Sequence, residues 1–286
     1  MKTIRLGRTA VEVSTLGFGA APIGNLYTAT DDGTARAAVD AAWNGGVRYF
    51  DTAPDYGLGL SERRLGAALG GRRREQFTVS TKVGRLPVAN PAPTGSDLAA
   101  GGFAVGDELT RERDYSRDGV RRSLDASLIR LGMDRVDIVY IHDPEDHMDA
   151  ALTEAVPALV ELREQGTVGA IVAGMNLVDP LRRFVTETDV DAVMVAGRWT
   201  LLDRSAAPLL AECEDRGVSV VAAAPFNSGV LARPWPPADA HYDYGRAPAA
   251  VLAHARELAR ACEHHDSTLP HAAMQFPLRY PPSRAS

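Results

Sequence analysis

Ser116-Arg117-Asp118-Gly119-Val120-Arg121-Arg122-Ser123-Leu124-Asp125-Ala126-Ser127-Leu128-Ile129-Arg130-Leu131-Gly132, followed shortly by Val136-Asp137-Ile138-Val139-Tyr140-Ile141-His142, is the stretch whose reading decides the fold. Val120, Leu124, Leu128 and Leu131 recur at three- and four-residue spacing, which predicts one apolar face of a helix ending at Gly132. The run that follows is apolar almost without interruption. A strand of that kind is covered on both faces and belongs to a parallel sheet.

The same unit recurs along the 286 residues. Strands are predicted over Val13–Gly19, Val47–Asp51, Phe77–Lys82, Val136–His142, Gly169–Gly174, Asp191–Ala196 and Val218–Ala223. Helices are predicted over Thr34–Asn44, Leu152–Gln165 and Ala206–Arg216, each closed by glycine. Alternation of this kind signifies βαβ units with right-handed crossovers. Seven units in this length point to a (β/α)8 TIM barrel, with an open doubly wound sheet as the alternative. Thr3–Arg8 and Val11–Ser14 read as a small hairpin ahead of the first barrel strand. Arg85 to Tyr115 is a long connection without a helix, a length usually found where loops are functional or mobile. Beyond helices over Ala249–His265 and His271–Phe276, the segment Pro277–Ser286 has no β-branched run. An eighth strand and its covering helix are therefore expected to be missing. The whole chain, 1–286, reads as one barrel domain, incomplete at its C-terminus.

Composition excludes several classes. With 45% hydrophobic and 24% charged residues the chain is neither disordered nor fibrous. A net charge of −6 is the wrong sign for binding nucleic acid. No stretch approaches the roughly 20 apolar residues of a membrane span, and the N-terminus lacks the apolar core of a signal peptide. Cys213 and Cys262 form no ligand spacing and suit a reduced, cytoplasmic setting. His142-Asp143-Pro144-Glu145-Asp146-His147 matches no zinc pattern, so no metal is expected. Arg72-Arg73-Arg74 reads as a solvated turn, and His264-His265 as cations suiting a helix end.

In a barrel, side chains at the C-terminal strand ends converge on one mouth. Three of the predicted strands end in Asp51, Lys82 and His142. Neighbouring strands lie about 4.8 Å apart, so these groups can meet. Tyr56, in the turn after Asp51, can fold back over them. A Lys beside a Tyr hydroxyl favours the phenolate and lowers its pKa. Asp51 would fix the Lys, and the imidazole would offer a donor to a carbonyl oxygen. Such a quartet exchanges a proton with a C=O undergoing reduction, or with the reverse oxidation. None of the four delivers a hydride, so a redox cofactor is required. Taken singly, each residue has an ordinary reading as a cap, a surface ion pair, a hydrogen-bonded core histidine or a turn. Their conjunction points to a site.

Arg48-Tyr49-Phe50-Asp51-Thr52-Ala53-Pro54-Asp55-Tyr56-Gly57, then Ser80-Thr81-Lys82-Val83-Gly84, then Tyr140-Ile141-His142-Asp143-Pro144 resemble the aldo-keto reductase family, within it the sugar and pyridoxal dehydrogenase branch. The resemblance extends from about Thr3 to Phe276. It implies a TIM barrel that binds NADP or NAD without a Rossmann domain, with Tyr56 as general acid/base, Asp51 and Lys82 tuning it, and His142 orienting the substrate carbonyl. It also implies that Met175 and Asn176 meet the nicotinamide carboxamide and that Gly19 and Ala20 approach the nicotinamide ribose. Pro225, Phe226, Asn227, Ser228 and Gly229 would form the pyrophosphate loop, whose backbone N–H groups can cradle phosphate. Ala196 and Ala223 depart from the Gln and the stacking Tyr that many relatives carry, and Trp199 is a candidate replacement surface. The implied substrate is a small carbonyl compound or sugar, and the oligomeric state is not legible. Two other classes stay open: a catalytically impaired barrel serving as a binding or regulatory protein, and a metal-dependent hydrolase on the same scaffold.

Overall fold

The computed structural model describes residues 1–279. Seven strands form one parallel sheet: β1 (Gly17–Gly19), β2 (Tyr49–Asp51), β3 (Thr78–Val83), β4 (Ile138–His142), β5 (Ala170–Met175), β6 (Ala192–Ala196) and β7 (Ser219–Ala223). Each pairs with the next in chain order, from β1 at one edge to β7 at the other. Among the described residues no eighth strand joins β7 to β1, as the sequence predicts. The expectation for Tyr280–Ser286 lies outside the described residues.

Helices follow the strands: α1 (Asp32–Asn44), α2 (Leu60–Leu69), α3 (Arg117–Leu131), α4 (residues 148–164), α5 (Val178–Glu187), α6 (Ala207–Arg216), α7 (Ala249–His264) and α8 (Leu269–Gln275). Ser116 caps α3 by accepting from the Gly119 N–H, and Gly132 ends it in the left-handed conformation, φ 65°. The α4 stretch contains a π-helical segment, Ala151–Ala155, that periodicity alone does not reveal.

The strands separate two apolar layers. Phe50, Val79, Ile141 and Ile171 face outward against Leu65, Leu124, Leu159 and Phe184 of the helices. Tyr49, Ile138, Tyr140 and Val172 face inward, with Leu6 and Val13 from the N-terminal hairpin closing one end. Both faces of the central strands β2 to β5 are therefore dry, which is why such strands read as continuous apolar runs. Each large side chain so buried contributes about 1.5–3 kcal/mol. Glu62 of α2 is fully buried, yet it accepts from Thr81 of β3 and Arg130 of α3 and so locks that helix pair to the sheet.

Three sequence readings change. The long connection carries an antiparallel ribbon, Arg85–Ala89 paired with Leu109–Arg113, in which Leu86 and Val88 share one face and Arg85 lies on the other, a period that a loop reading overlooks. Leu60–Leu69 and Val178–Glu187 are helices that the sequence reading passed over; Pro180 lies in the first turn of the latter, where its missing N–H costs nothing. Finally, Arg72–Arg74 is not a solvated run. Arg72 stacks on Trp43 and pairs with Asp40, and Arg74 pairs with Asp137, leaving Arg73 in solvent.

Candidate active site

Strand register brings the ends of β2, β3 and β4 together. Asp51 lies opposite Ser80, two residues before Lys82, and Lys82 lies opposite Tyr140. The Lys82 ammonium donates to both Asp51 oxygens, at 2.6 and 2.7 Å, and to the Thr52 carbonyl at 3.0 Å. Ser80 donates to Asp51 Oδ1 at 2.6 Å. Lys82 is 2% exposed and Asp51 8%, so the pair is held away from water. Beneath it the Tyr49 and Tyr140 hydroxyls bond each other at 2.7 Å.

Tyr56 comes from the turn that follows β2. Gly57 is in the left-handed region at φ 60°, and a Cβ there would meet the Gly24 carbonyl oxygen at 2.2 Å, so glycine is required for the turn to seat. The Tyr56 ring is half-buried, edge-on to His142 with centroids 5.8 Å apart, and 6.0 Å from Phe103 of the long connection. Lys82 Nζ lies 5.2 Å from the Tyr56 ring centroid. No hydrogen bond joins the Tyr56 hydroxyl to Lys82, whose three donors are all in use. Burial, together with Asp51, Asp55 and Asp143, pushes the Tyr56 phenol well above its ordinary 10. The sequence reading expects the neighbouring lysine to lower this pKa; burial and the three carboxylates act in the opposite direction.

His142 ends β4, and Tyr115 donates to its carbonyl at 2.6 Å and to that of Asp143 at 2.9 Å. Burial, with Arg85, Lys82, Arg111 and Arg113 nearby, pushes the imidazole well below 6.5, so it is neutral at neutral pH. Its Nδ1 is buried without a partner. Asp143, at φ 44°, places a carboxylate oxygen 3.6 Å from His142 Nε2 and 2.8 Å from Arg85 Nη2. Burial raises its carboxyl to about 6. Arg111 grips Asp55, and it donates to both carboxylate oxygens of Asp97 and to the Asp55 carbonyl. The sequence reading assigned none of these five charged residues a role in the site. The one signal available was adjacency: Asp55 precedes Tyr56 and Asp143 follows His142. Their arginine partners needed the ribbon to be recognised first.

The residues expected to hold a cofactor form a second group. Asn176, Ala196, Gly197, Ala224, Asn227 and Tyr244 line one shallow hollow. Asn227 donates through Nδ2 to the Gly197 carbonyl at 3.0 Å, while its Oδ1 is buried with no partner. Asn176 donates through Nδ2 to the Tyr244 hydroxyl at 3.1 Å. An orphaned acceptor and an amide donor around one hollow fit the carboxamide of a nicotinamide. Met175 is buried at the end of β5, Gly19 is exposed on the edge strand with open space where a Cβ would stand, and Ala20 is buried beside it. In the segment Pro225 to Gly229, the backbone is left-handed at Asn227, Ser228 and Gly229. The N–H groups of Asn227 and Gly229 close turns within the segment, onto Ala224 and Phe226 respectively, and the Ser228 hydroxyl accepts from the Tyr244 N–H at 3.0 Å. Trp199 packs against Phe276, centroids 5.3 Å apart.

The parallel sheet thus gathers a carboxylate, an amine, a phenol and an imidazole around the ends of β2, β3 and β4. Comparison with known proteins fixes the class of the protein. A family model described as the aldo/keto reductase family matches residues 15–284, and the chain belongs to that family. It is 48% identical to a D-threo-aldose 1-dehydrogenase from a Pseudomonas species, over 93% of this chain and 82% of that one. It is 39% identical to a pyridoxal 4-dehydrogenase from Microbacterium luteolum, over 96% and 85%. Among solved structures, an aldo-keto reductase from Bacillus halodurans in its holo form superposes with a TM-score of 0.74 at 27% identity, covering 98% of this chain and 83% of that one. The protein is thus an NAD(P)-dependent oxidoreductase of small carbonyl substrates. No helix among the described residues is long and apolar enough to cross a membrane.

Proposed function

We propose that this enzyme, one barrel domain over 1–286, moves a hydride between nicotinamide and the carbonyl or hemiacetal carbon of a small polar substrate such as an aldose, with Tyr56 exchanging the proton. The observation that carries this reading is the pairing of Tyr56 with His142 at 5.8 Å beside a Lys82 whose donors are all used on Asp51 and Thr52. The bound nicotinamide supplies or takes the hydride.

In reduction, Tyr56 is the acid: a phenol kept protonated by burial donates to the carbonyl oxygen as negative charge develops there. His142, neutral at working pH, directs a ring N–H toward the same oxygen without adding a second buried charge. Lys82 contributes a fixed positive charge close to the Tyr56 ring, which stabilises any anionic character on the phenol oxygen, and Asp51 holds that charge in place. In oxidation, Tyr56 must first release its proton, a step that Asp51, Asp55 and Asp143 oppose. Asn176 and the orphaned Asn227 Oδ1 would hold the nicotinamide carboxamide, with Met175 beneath it. Gly19 and Ala20 would border the ribose, and Pro225 to Gly229 the pyrophosphate.

The D-threo-aldose dehydrogenase relative supports an aldose as the substrate. Two free cysteines, one of them buried, suit a reduced cytoplasmic setting, and a net charge of −6 argues against nucleic acid as a partner. The test is a spectrophotometric assay of nicotinamide reduction across neutral aldoses with NAD and with NADP. Cofactor-dependent turnover of at least one aldose is expected; none with either cofactor contradicts the reading.

A further inference from the structure

Of the three arginines on the ribbon after β3, Arg85 and Arg111 look alike in sequence but differ in bonding. Arg111 makes four hydrogen bonds, donating to Asp55, to both oxygens of Asp97 and to the Asp55 backbone carbonyl. Arg85, whose side chain is 17% exposed, makes fewer. Its Nη2 meets Asp143 at 2.8 Å, its Nη1 stands 3.6 Å from Asp55, beyond hydrogen-bond reach, and its Nε is buried with no partner. A guanidinium carries five N–H donors, and the buried Nε leaves one of them unpaired, which is costly. The groups around Arg85 are those of the site itself: Asp55 adjoins Tyr56, Asp143 adjoins His142, and His142 Nδ1 also lacks a partner.

We propose that Arg85, held between Asp55 and Asp143, is the specificity-determining residue that recognises the hydroxyl groups next to the reacting carbon of a neutral polyhydroxy substrate. The inference rests on the proposed function above. A hydroxyl both donates and accepts, so one group can accept from the unused N–H of Arg85 while donating to Asp143 or Asp55. The flanking carboxylates offset the arginine charge, so the edge matches neutral hydroxyls better than an anionic substrate. A simple aliphatic aldehyde has nothing to offer this edge and leaves its groups unpaired. A site built to pair with hydroxyls discriminates strongly against analogues that lack them.

The test compares kcat/KM for a neutral aldose, its 2-deoxy analogue and propanal, in wild type, Arg85→Lys and Arg85→Met, with cofactor binding followed by nicotinamide fluorescence to show that each variant is folded. Wild type should favour the aldose over its 2-deoxy analogue by at least tenfold. That ratio should fall at least fivefold in Arg85→Lys, which keeps the charge but not the planar fork, and further in Arg85→Met. A ratio that stays within twofold of wild type in Arg85→Lys overturns the proposal, as does a wild type indifferent to the 2-hydroxyl. Should Arg85→Met fail to fold, Arg85→Lys and the wild-type comparison still decide. If wild type turns over propanal with cofactor but no aldose, the substrate reading fails and takes this inference with it. If aldoses are turned over but the ratio does not respond, only the role of Arg85 fails.

Discussion

Lys82 Nζ stands 2.6 and 2.7 Å from the two carboxylate oxygens of Asp51 on the neighbouring strand. The third ammonium donor goes to the Thr52 carbonyl. All three ammonium donors are thus directed at protein acceptors, with Nζ 5.2 Å from the Tyr56 ring centroid.

That buried pair predicts a clear pattern of coupling. Asp51→Asn leaves an uncompensated ammonium and should destabilise by about 3–5 kcal/mol. Lys82→Met leaves an uncompensated carboxylate at a similar cost. The double variant should lose markedly less than the sum of the two singles, as read from urea unfolding midpoints. Additive losses would mean that the two charges do not sense each other.

Stability should depend on pH through two neighbours with opposite signs. Asp143 has a raised folded-state pKa of about 6 against an ordinary 3.8. The folded chain therefore binds more protons in that window, and this residue lowers stability as pH rises from about 4 to 6, by on the order of 2–3 kcal/mol. His142 is depressed, so the unfolded chain binds its proton first and stability falls as pH drops below about 6.5. Asp143→Asn should raise stability relative to wild type at pH 7 more than at pH 4, and His142→Gln should lessen the loss below pH 6.5. Denaturation midpoints measured from pH 4 to 8 check both.

The hairpin His241–Tyr242 with Gly245–Arg246 lies across the proposed nicotinamide site, its Tyr244 hydroxyl accepting from Asn176. Cofactor binding through that N–H of Asn176 would displace the Tyr244 hydroxyl. Tyr244→Phe should therefore tighten NAD(P)H binding severalfold, the worth of about 0.5–1.5 kcal/mol for one hydrogen bond. Fluorescence titration checks this; weaker binding would show that Tyr244 contributes to holding the cofactor.

Much of this is legible in the sequence. Continuous apolar runs mark β3, β4 and β5 because both their faces are buried, and they mark β6 and the half-buried edge strand β7 as well; glycine at 132 and 217 marks helix ends. The residues at the ends of β2, β3 and β4 followed from period and topology. What escaped depended on contacts between distant segments. The ribbon from Arg85 to Arg113 pairs over a loop of nearly twenty residues, and only that pairing brings Arg111 to Asp55 and Asp97. The protonated state of Tyr56 likewise could not be read: whether a lysine lowers a phenol pKa depends on where its donors point, and Asp51 takes them.

Tyr56 as the proton carrier is the central claim, and Tyr56→Phe tests it most directly, with nicotinamide binding measured in parallel. Removing one hydroxyl should leave cofactor affinity within about twofold and lower kcat by on the order of 10²–10⁴, the usual worth of a positioned acid/base group. Turnover equal to wild type, with cofactor bound, would contradict it.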